Sequence, residues 1–453
     1  MIFQDTICAP ATSSGTGAIS VVRISGDNAF KAADSVIRFL RGTAAEAKGY
    51  TFKYGTIYDG DSPLDDVVAA IYRGPHSYTG EDSVEISCHA SPYIVGRILE
   101  LLTASGCRIA LPGEFTQRAF LAGKMDLAQA EAVADVIGAQ SRYAHKVAIN
   151  QLKGGYSGEL RQLRDKLLEL AALLELELDF SEEEVEFANR EKLRELLQDA
   201  ISRVVALKKS FREGNAIKNG VPVAIVGAVN SGKSTLLNAL VGEDRAIVSD
   251  IAGTTRDTIE STMTLDGIQY RFIDTAGFRD TNDAIEKIGI GKTLEELSKA
   301  DIVIGVLDGS LDSVVLASAA SDISGKCTED QKLILVLNKC DIRSICEHMP
   351  GAIEISALTD QGLDKLRTEI SSFQKARLDS CSTLVTNARH YEALSAAYSD
   401  LNDTLATLGT STPTDLVAEH LRAAISSMNT IFGESIDDSA LLNHIFGAFC
   451  IGK

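Results

Sequence analysis

Tryptophan is absent from this 453-residue chain, an absence that excludes little. Other absences say more. No stretch of 18 apolar residues occurs, so no membrane-spanning helix is expected. The opening MIFQDTICAP has no basic segment ahead of an apolar one, so no secretory signal is expected and the protein is expected to be cytoplasmic. Among eight scattered cysteines (Cys8, Cys88, Cys107, Cys327, Cys340, Cys346, Cys381 and Cys450) there is no C-x-x-C and no nearby His pairing of the zinc-site kind. Most of these thiols are expected to be reduced and structural. Positive charge is in deficit, with 44 Lys and Arg against 63 Asp and Glu, a net charge of −19. That balance opposes simple coating of nucleic acid, so such a partner would need a local basic patch or another protein to present it. What remains is ordinary for a globular protein, 45% apolar and 24% charged, with a length that suggests about three domains.

The chain is organised around residues 221–235, VPVAIVGAVNSGKST. Val221, Val223, Ile225 and Val226 read as a buried strand that leads into Gly227, four variable residues, then Gly232, Lys233 and Ser234. This is a phosphate-binding loop. Its glycines let successive backbone N–H groups face a pyrophosphate, Lys233 adds a point charge for the outer phosphates, and Ser234 offers a hydroxyl to Mg²⁺. The helix that begins there directs its positive end at the anion.

Four further signatures follow in the order a GTPase needs. GTTRD at 253–257 offers Thr255 as a second hydroxyl for Mg²⁺, on a loop that orders with the γ-phosphate. DTAG at 274–277 places Asp274 as an outer carboxylate near the metal and the Gly277 N–H near the γ-phosphate. NKCD at 338–341 supplies Asp341, which accepts from guanine N1–H and the exocyclic amine; adenine inverts that pattern and leaves the carboxylate unpaired. Ser356 and Ala357 supply a loop whose N–H meets guanine O6. After DTAG, small signalling GTPases carry a water-orienting glutamine, whereas Phe278 stands here, so hydrolysis must be completed differently. Asn230 offers a carbonyl to a monovalent cation in the charge-neutralising role of an arginine finger, and Glu286 is a candidate for positioning water.

Four domain segments are expected: an N-terminal α+β domain at 1–122, a helical first part at 123–216, the nucleotide-binding unit at 217–376 and a helical second part at 377–453. In the first, β-type runs at 17–24, 67–72 and 83–87 alternate with helical stretches near 28–40 and 92–104. By pattern alone, Arg23, Glu85 and Lys124 read as two strand charges and a helix-end lysine. Leu160, Leu163, Leu167, Leu170 and Leu174 form one apolar helical stripe, read as a bundle seam, and a second helix is expected at about 189–213. The acidic run 181–186 reads as a solvated turn. Strand signals at 223–226, 270–273, 302–307, 333–337 and 353–355 alternate with helices, which implies a doubly wound, mainly parallel sheet with its ligand at the strands' carboxyl ends. Helices return near 386–409, 413–432 and 437–447. The fold class is therefore multidomain α/β plus all-α, with the P-loop GTPase domain inserted into a discontinuous helical domain.

VGAVNSGKSTLLNAL, IVSDIAGTTRD, IDTAGFRD with EKIGI, YTGEDSVEISCH, LPGEFTQRAFLAGKMDLAQAEAVADVI and the terminal FCIGK resemble the MnmE (TrmE) family of tRNA modification GTPases over essentially the whole chain. The resemblance implies a homodimer that works with the FAD-carrying flavoprotein MnmG, which holds most of the tRNA. Together they install an aminomethyl-type (carboxymethylaminomethyl) group on C5 of the wobble uridine, position 34, using 5,10-methylenetetrahydrofolate. It assigns folate to Arg23, Glu85, Lys124 and Lys453, Mg²⁺ to Ser234 and Thr255, and K⁺ to Asn230, Ser249, Ile251 and Thr254. It gives Glu286 as the catalytic glutamate beside Asn230 and Lys233, and Cys450 as the terminal cysteine of the modification step. The nucleotide site then spans Asn230, Ser231, Gly232, Lys233, Ser234 and Thr235. It continues through Ser249, Asp250, Ile251, Ala252, Gly253, Thr254 and Thr255 to Asp274, Thr275, Ala276 and Gly277. Asn338, Lys339, Asp341, Ser356 and Ala357 complete it.

Two other readings stand beside this one. A ribosome-assembly GTPase, a switch binding rRNA, would carry a basic C-terminal module, and the acidic helical tail ending in CIGK argues against it. An autonomous folate-dependent transferase regulated by its GTPase would turn folate over without a partner.

Overall fold

The structure is a computed structural model that describes residues 5–179, 190–242, 261–273, 297–342, 349–379, 383–408, 414–434, 439–447, 449 and 452. The chain divides into two units: Met1–Ile137, Asn150–Leu168 and Ile425–Lys453 form one, and Gly138–Ile149 with Glu169–Ala424 form the other. The architecture is multidomain, α/β combined with all-α.

The first unit is built on a sheet in the order β3-β4-β5-β6-β2-β1-β7. Its strands are β1 (Ile7–Pro10), β2 (Ile19–Ser25), β3 (Ile37–Phe39), β4 (Thr51–Asp59), β5 (Ser62–Tyr72), β6 (Ser83–His89) and β7 (Arg108–Ile109). Neighbours are antiparallel except β1 and β7. Alternation decides the faces: Val22 and Ile24 join Ile57, Val67, Ile71, Val84 and Ile86 under the helices Ala29–Val36 and Pro92–Ala104, while Arg23 and Glu85 point to the other face. On that second face the β4 and β5 end leaves Phe52 and Tyr54 75% and 51% exposed.

One local expectation is corrected here. The helical stretch expected near 28–40 stops at Val36, and residues 37–39 are β3, paired with β4 through Ile37 opposite Ile57. Burial of the β-branched Ile37 against β4 outweighs continuation of the helix.

The leucine stripe lies on the helix Gly155–Asp179, and all five of its members are buried. Arg161 and Arg164 of the same helix bind Glu434, and Arg161 also reaches Asp126, so charges from three separated stretches meet in the first unit.

The second unit holds a sheet in the order β13-β12-β11-β8-β10-β9. Its strands are β8 (Val221–Gly227), β9 (Ser261–Leu265), β10 (Ile268–Ile273), β11 (Ile302–Asp308), β12 (Lys332–Asn338) and β13 (Ile353–Glu354). All are parallel except β9, which pairs antiparallel with β10 across a turn at Asp266 and Gly267, both with positive φ. β11 is buried along Ile302–Leu307, the continuous apolar run of a strand covered on both faces. The helices Lys233–Val241 and Leu363–Asp379 contribute Leu236, Leu240, Leu366 and Ile370 to the core on one of them. The long helix Arg190–Asn219 runs into β8 after burying Leu193, Leu197, Val204 and Leu207. Helices Ala388–Leu408, Thr414–Phe432 and Ser439–Gly447 follow the sheet in sequence. Among the described residues no helix is long and apolar enough to cross a membrane.

Candidate functional site

Parallel pairing brings the carboxyl ends of β8, β11, β12 and β13 to one edge of the second unit's sheet, with Gly227 opposite Val306 and Asp308 opposite Asn338. β8 has β10 on one side and β11 on the other, so the chain switches direction there, where open α/β sheets hold ligands.

The loop after β8 closes on itself before the helix Lys233–Val241 begins. Gly227 faces the Val306 carbonyl and Gly232, at φ +95°, faces the Asn338 amide, so neither position has room for a side chain. Asn230, at φ +62°, is exposed and Ser231 is buried. Lys233 curls back over the loop, its Nζ donating to the Gly227 and Ala228 carbonyls at 3.0 and 2.8 Å. Burial pushes its pKa down, a cost that a bound anion would offset. The Ser231 N–H donates to the Ala228 carbonyl at 3.3 Å and the first helical bond is Leu236 N–H to the Gly232 carbonyl, which leaves the amides of the first helical turn, Lys233 to Thr235, for another acceptor.

Asn338 joins three loops. It is 3% exposed; its Nδ2 donates to the Ser231 carbonyl at 2.9 Å and its Oδ1 accepts the Ala357 N–H at 3.0 Å. Ser356, also buried, closes its own turn by donating its N–H to the Gln361 carbonyl. Lys339 places its ammonium 2.7 Å from Asp308, and Asp341 is exposed. The structure thus brings Asn230 to Thr235, Asn338 to Asp341, and Ser356 with Ala357 to one edge. Asp308 and Ser310 belong to the same cluster and carry no motif; their signal in sequence is only a polar pair directly after an apolar strand run.

For a metal, the hydroxyl of Ser234 and the amide of Asn230 are exposed and, among the described residues, without a hydrogen-bond partner, a disposition that suits ligands awaiting a cation. Ser249, Asp250, Ile251, Ala252, Gly253, Thr254, Thr255, Asp274, Thr275, Ala276, Gly277, Phe278 and Glu286 lie outside the described residues. So do Cys450, Lys453 and the acidic run 181–186.

A second cluster lies on the open face of the first unit's sheet. Arg23 and Glu85 are register partners on β2 and β6, with Nε and Nη2 at 2.9 and 2.8 Å from Oε1. The Arg23 guanidinium packs 5.2 and 5.4 Å from the ring centres of Tyr78 and Phe115, and its Nη1 donates to the Gly452 carbonyl at 3.4 Å. Gly452 therefore reaches Arg23. Tyr72 donates its hydroxyl to Glu85 at 3.4 Å, and burial, then the Glu85 charge, raises its pKa. Lys124 does not join the pair directly; it donates to the Pro75 carbonyl at 2.7 Å, on the loop that carries Tyr78.

Arg118 of LPGEFTQRAF is buried in the same unit, bound to Asp5, Glu81 and Glu114. Arg108 adds a second cation to Glu114. Burial alone would raise the Glu114 pKa, but the bonds from Arg108, the Leu111 N–H and Arg118 outweigh it and hold the carboxyl below its ordinary value.

Comparison with known proteins places these features in context. Residues 127–450 match the family model described as MnmE helical domain, and residues 6–124 match GTP-binding protein TrmE N-terminus. A protein named tRNA modification GTPase MnmE from Bacteroides thetaiotaomicron is 46% identical over 466 residues, covering 99% of this chain and 100% of its own length. One of the same name from Parabacteroides distasonis is 47% identical over 466 residues with the same coverage. Among solved structures, a GTP-binding protein from the archaeon Sulfolobus solfataricus in complex with GDP is 19% identical, with a TM-score of 0.28, covering 47% of this chain and 67% of that one.

Proposed function

The chain belongs to the MnmE family of tRNA modification GTPases, and from that premise we propose that it is a potassium-activated GTPase whose hydrolysis drives modification of the wobble uridine. The observation that carries the nucleotide part is the bridge made by Asn338, which ties the phosphate loop at Ser231 to the loop at Ala357. On this reading Asp341 accepts from guanine, Lys233 exchanges its two carbonyl partners for phosphate oxygens, and the amides at the start of helix Lys233–Val241 hold the pyrophosphate. Ser234 with Thr255 would hold Mg²⁺, and Asn230 with Ser249, Ile251 and Thr254 would hold K⁺. Bound, these cations neutralise charge that builds between the β- and γ-phosphates. Glu286 would position the attacking water, the task that Phe278 cannot perform.

The proposed division is 1–122 for folate binding and dimerisation, 123–216 and 377–453 for the helical domain, and 217–376 for the GTPase. The exposed aromatic end of the first unit's open face, Phe52 and Tyr54, supports a homodimer. Arg23, Glu85, Lys124 and Lys453 would orient 5,10-methylenetetrahydrofolate, and the approach of Gly452 to Arg23 supports including the terminal residues. Folate and the FAD of MnmG supply the carbon chemistry, at C5 of uridine 34, to give the carboxymethylaminomethyl group. The partner holds most of the tRNA, in keeping with a net charge of −19, and the assembly works in the cytoplasm. Cys450 would act in the modification step.

The test is GTP turnover of the full chain in K⁺ buffer and in the same buffer with Na⁺, beside Asn230→Ala. Fast turnover only with K⁺, lost in the variant, is expected. Equal rates in the two buffers would remove the cation from the mechanism.

A further inference from the structure

The hairpin of β9 and β10 joins two distant parts of the second unit. Its strands pair in unbroken register from Leu265 opposite Ile268 to Ser261 opposite Phe272, closed by Asp266 and Gly267 at φ +51° and +81°, as a two-residue type I′ turn requires. Met263, Ile268, Tyr270 and Phe272 are buried in one core. A slip of one residue between the strands would turn such side chains toward solvent, so the hairpin moves as one body.

One end lies at the nucleotide motifs. β9 opens at Ser261, shortly after GTTRD, and β10 closes at Ile273, directly before Asp274 of DTAG. β10 also pairs with β8, the strand that leads into the phosphate loop. In GTPases the two stretches that flank such a hairpin order around the γ-phosphate and are released when it is lost.

The other end, about 17 Å away for a five-residue strand, holds the segment Gly138–Ile149. The Tyr143 N–H donates to the Gly267 carbonyl at 3.1 Å, and the Gln269 amide donates to Gln140 Oε1 at 2.9 Å. Ala144 is buried in the same core as the hairpin, and Tyr143 and Val147 pack against it. The fit leaves little slack, since a Cβ on Gly267 would lie 3.0 Å from Arg142 Cβ. Lys375 of the helix Leu363–Asp379 steadies the turn, 2.7 Å from Asp266. The chain up to Ile137 and from Asn150 belongs to the first unit, so at this segment the chain enters and leaves the second.

We infer that the β9–β10 hairpin relays the state of the nucleotide site to the segment Gly138–Ile149: a displacement at its GTTRD and DTAG ends is carried along the paired strands to Gly267 and felt at Tyr143 and Gln140. The inference rests on the reading of the site as that of a GTPase. Coupling is reciprocal, so loosening the contact at Gly267 also changes the preference of the site between GTP and GDP.

The experiment follows hydrogen–deuterium exchange of the full chain by mass spectrometry, with GDP and with a non-hydrolysable GTP analogue, both with Mg²⁺ and K⁺. It compares the wild type, Gln140→Ala and Gly267→Ala. In the wild type, exchange at residues 139–149 is expected to differ about fivefold between the two nucleotides, the low end of the usual range of coupling. Gln140→Ala removes one of the two bonds and leaves the hairpin sequence intact, whereas Gly267→Ala puts a methyl against Arg142 at a φ that alanine disfavours. Both should narrow the difference at 139–149 and shift the ratio of GTP-analogue to GDP affinity in the same sense. In Gln140→Ala the difference at 261–273 should persist, which a general loosening of the unit would not allow. Equal exchange at 139–149 with both nucleotides in the wild type, or a difference that both variants leave unchanged, overturns the inference. A phosphate-loop stretch 227–242 that neither nucleotide protects overturns the GTPase-site reading itself.

Discussion

Asn338→Ala tests the geometry on which the nucleotide site depends. The side chain is 3% exposed and makes two bonds, to the Ser231 carbonyl at 2.9 Å and from the Ala357 N–H at 3.0 Å. Truncation strands two buried backbone groups at about 1–3 kcal/mol each, so the bridge is worth about 2–6 kcal/mol. The two loops it joins must be in register when a nucleotide binds, so much of this cost moves to the binding step. At about 1.4 kcal/mol per factor of ten, the lower bound weakens GDP binding about 30-fold. Titration with a fluorescent GDP analogue measures it, with urea unfolding in parallel. Asp341→Asn is the contrast: its side chain is exposed, so stability should change by less than about 0.5 kcal/mol while guanine affinity falls. An Asn338→Ala protein that binds GDP within threefold of the wild type would refute the argument that this tether sets the loops.

Three further outcomes are expected. Leu167→Ala, at a position with no exposure, should cost about 2–5 kcal/mol in urea unfolding, whereas Leu168→Ala, 45% exposed on the same helix, should cost little. Glu114 has a folded-state pKa below its ordinary value of 4.5, so its contribution to stability is present above that value and is lost as pH falls through the folded pKa. Unfolding free energy followed from pH 7 down to pH 3 should therefore fall less steeply in Glu114→Gln than in the wild type. Arg23→Met removes the guanidinium that binds Glu85 and approaches Gly452, and calorimetric titration should show tetrahydrofolate binding at least tenfold weaker while GTP turnover persists.

The strand, turn and helix of the phosphate-loop segment were legible because that motif compresses its signal into a few consecutive residues. A strand, two glycines, a lysine and a serine need no distant partner to specify a phosphate loop. The leucine stripe was legible for a similar reason: a 3.6-residue period puts all five side chains on one face, and that face is buried. β9 and β3 were not, since a short segment with weak periodicity becomes a strand only when a neighbour is there to pair with it, as β10 and β4 are.

Sequence by itself determined the local signals: which strand runs into a glycine-rich turn and a helix, where the N-K-x-D run falls, and which faces are apolar. Tertiary structure alone decided the meetings between segments. Arg23 meets Glu85 because of the β2 and β6 register, Arg118 gathers Asp5 and Glu81 from separate stretches, and Asp308 reaches Lys339 because β11 lies beside β12. Each of these is a single charged residue whose partner is set by strand order and close packing, and neither strand order nor packing leaves a periodic mark along the chain.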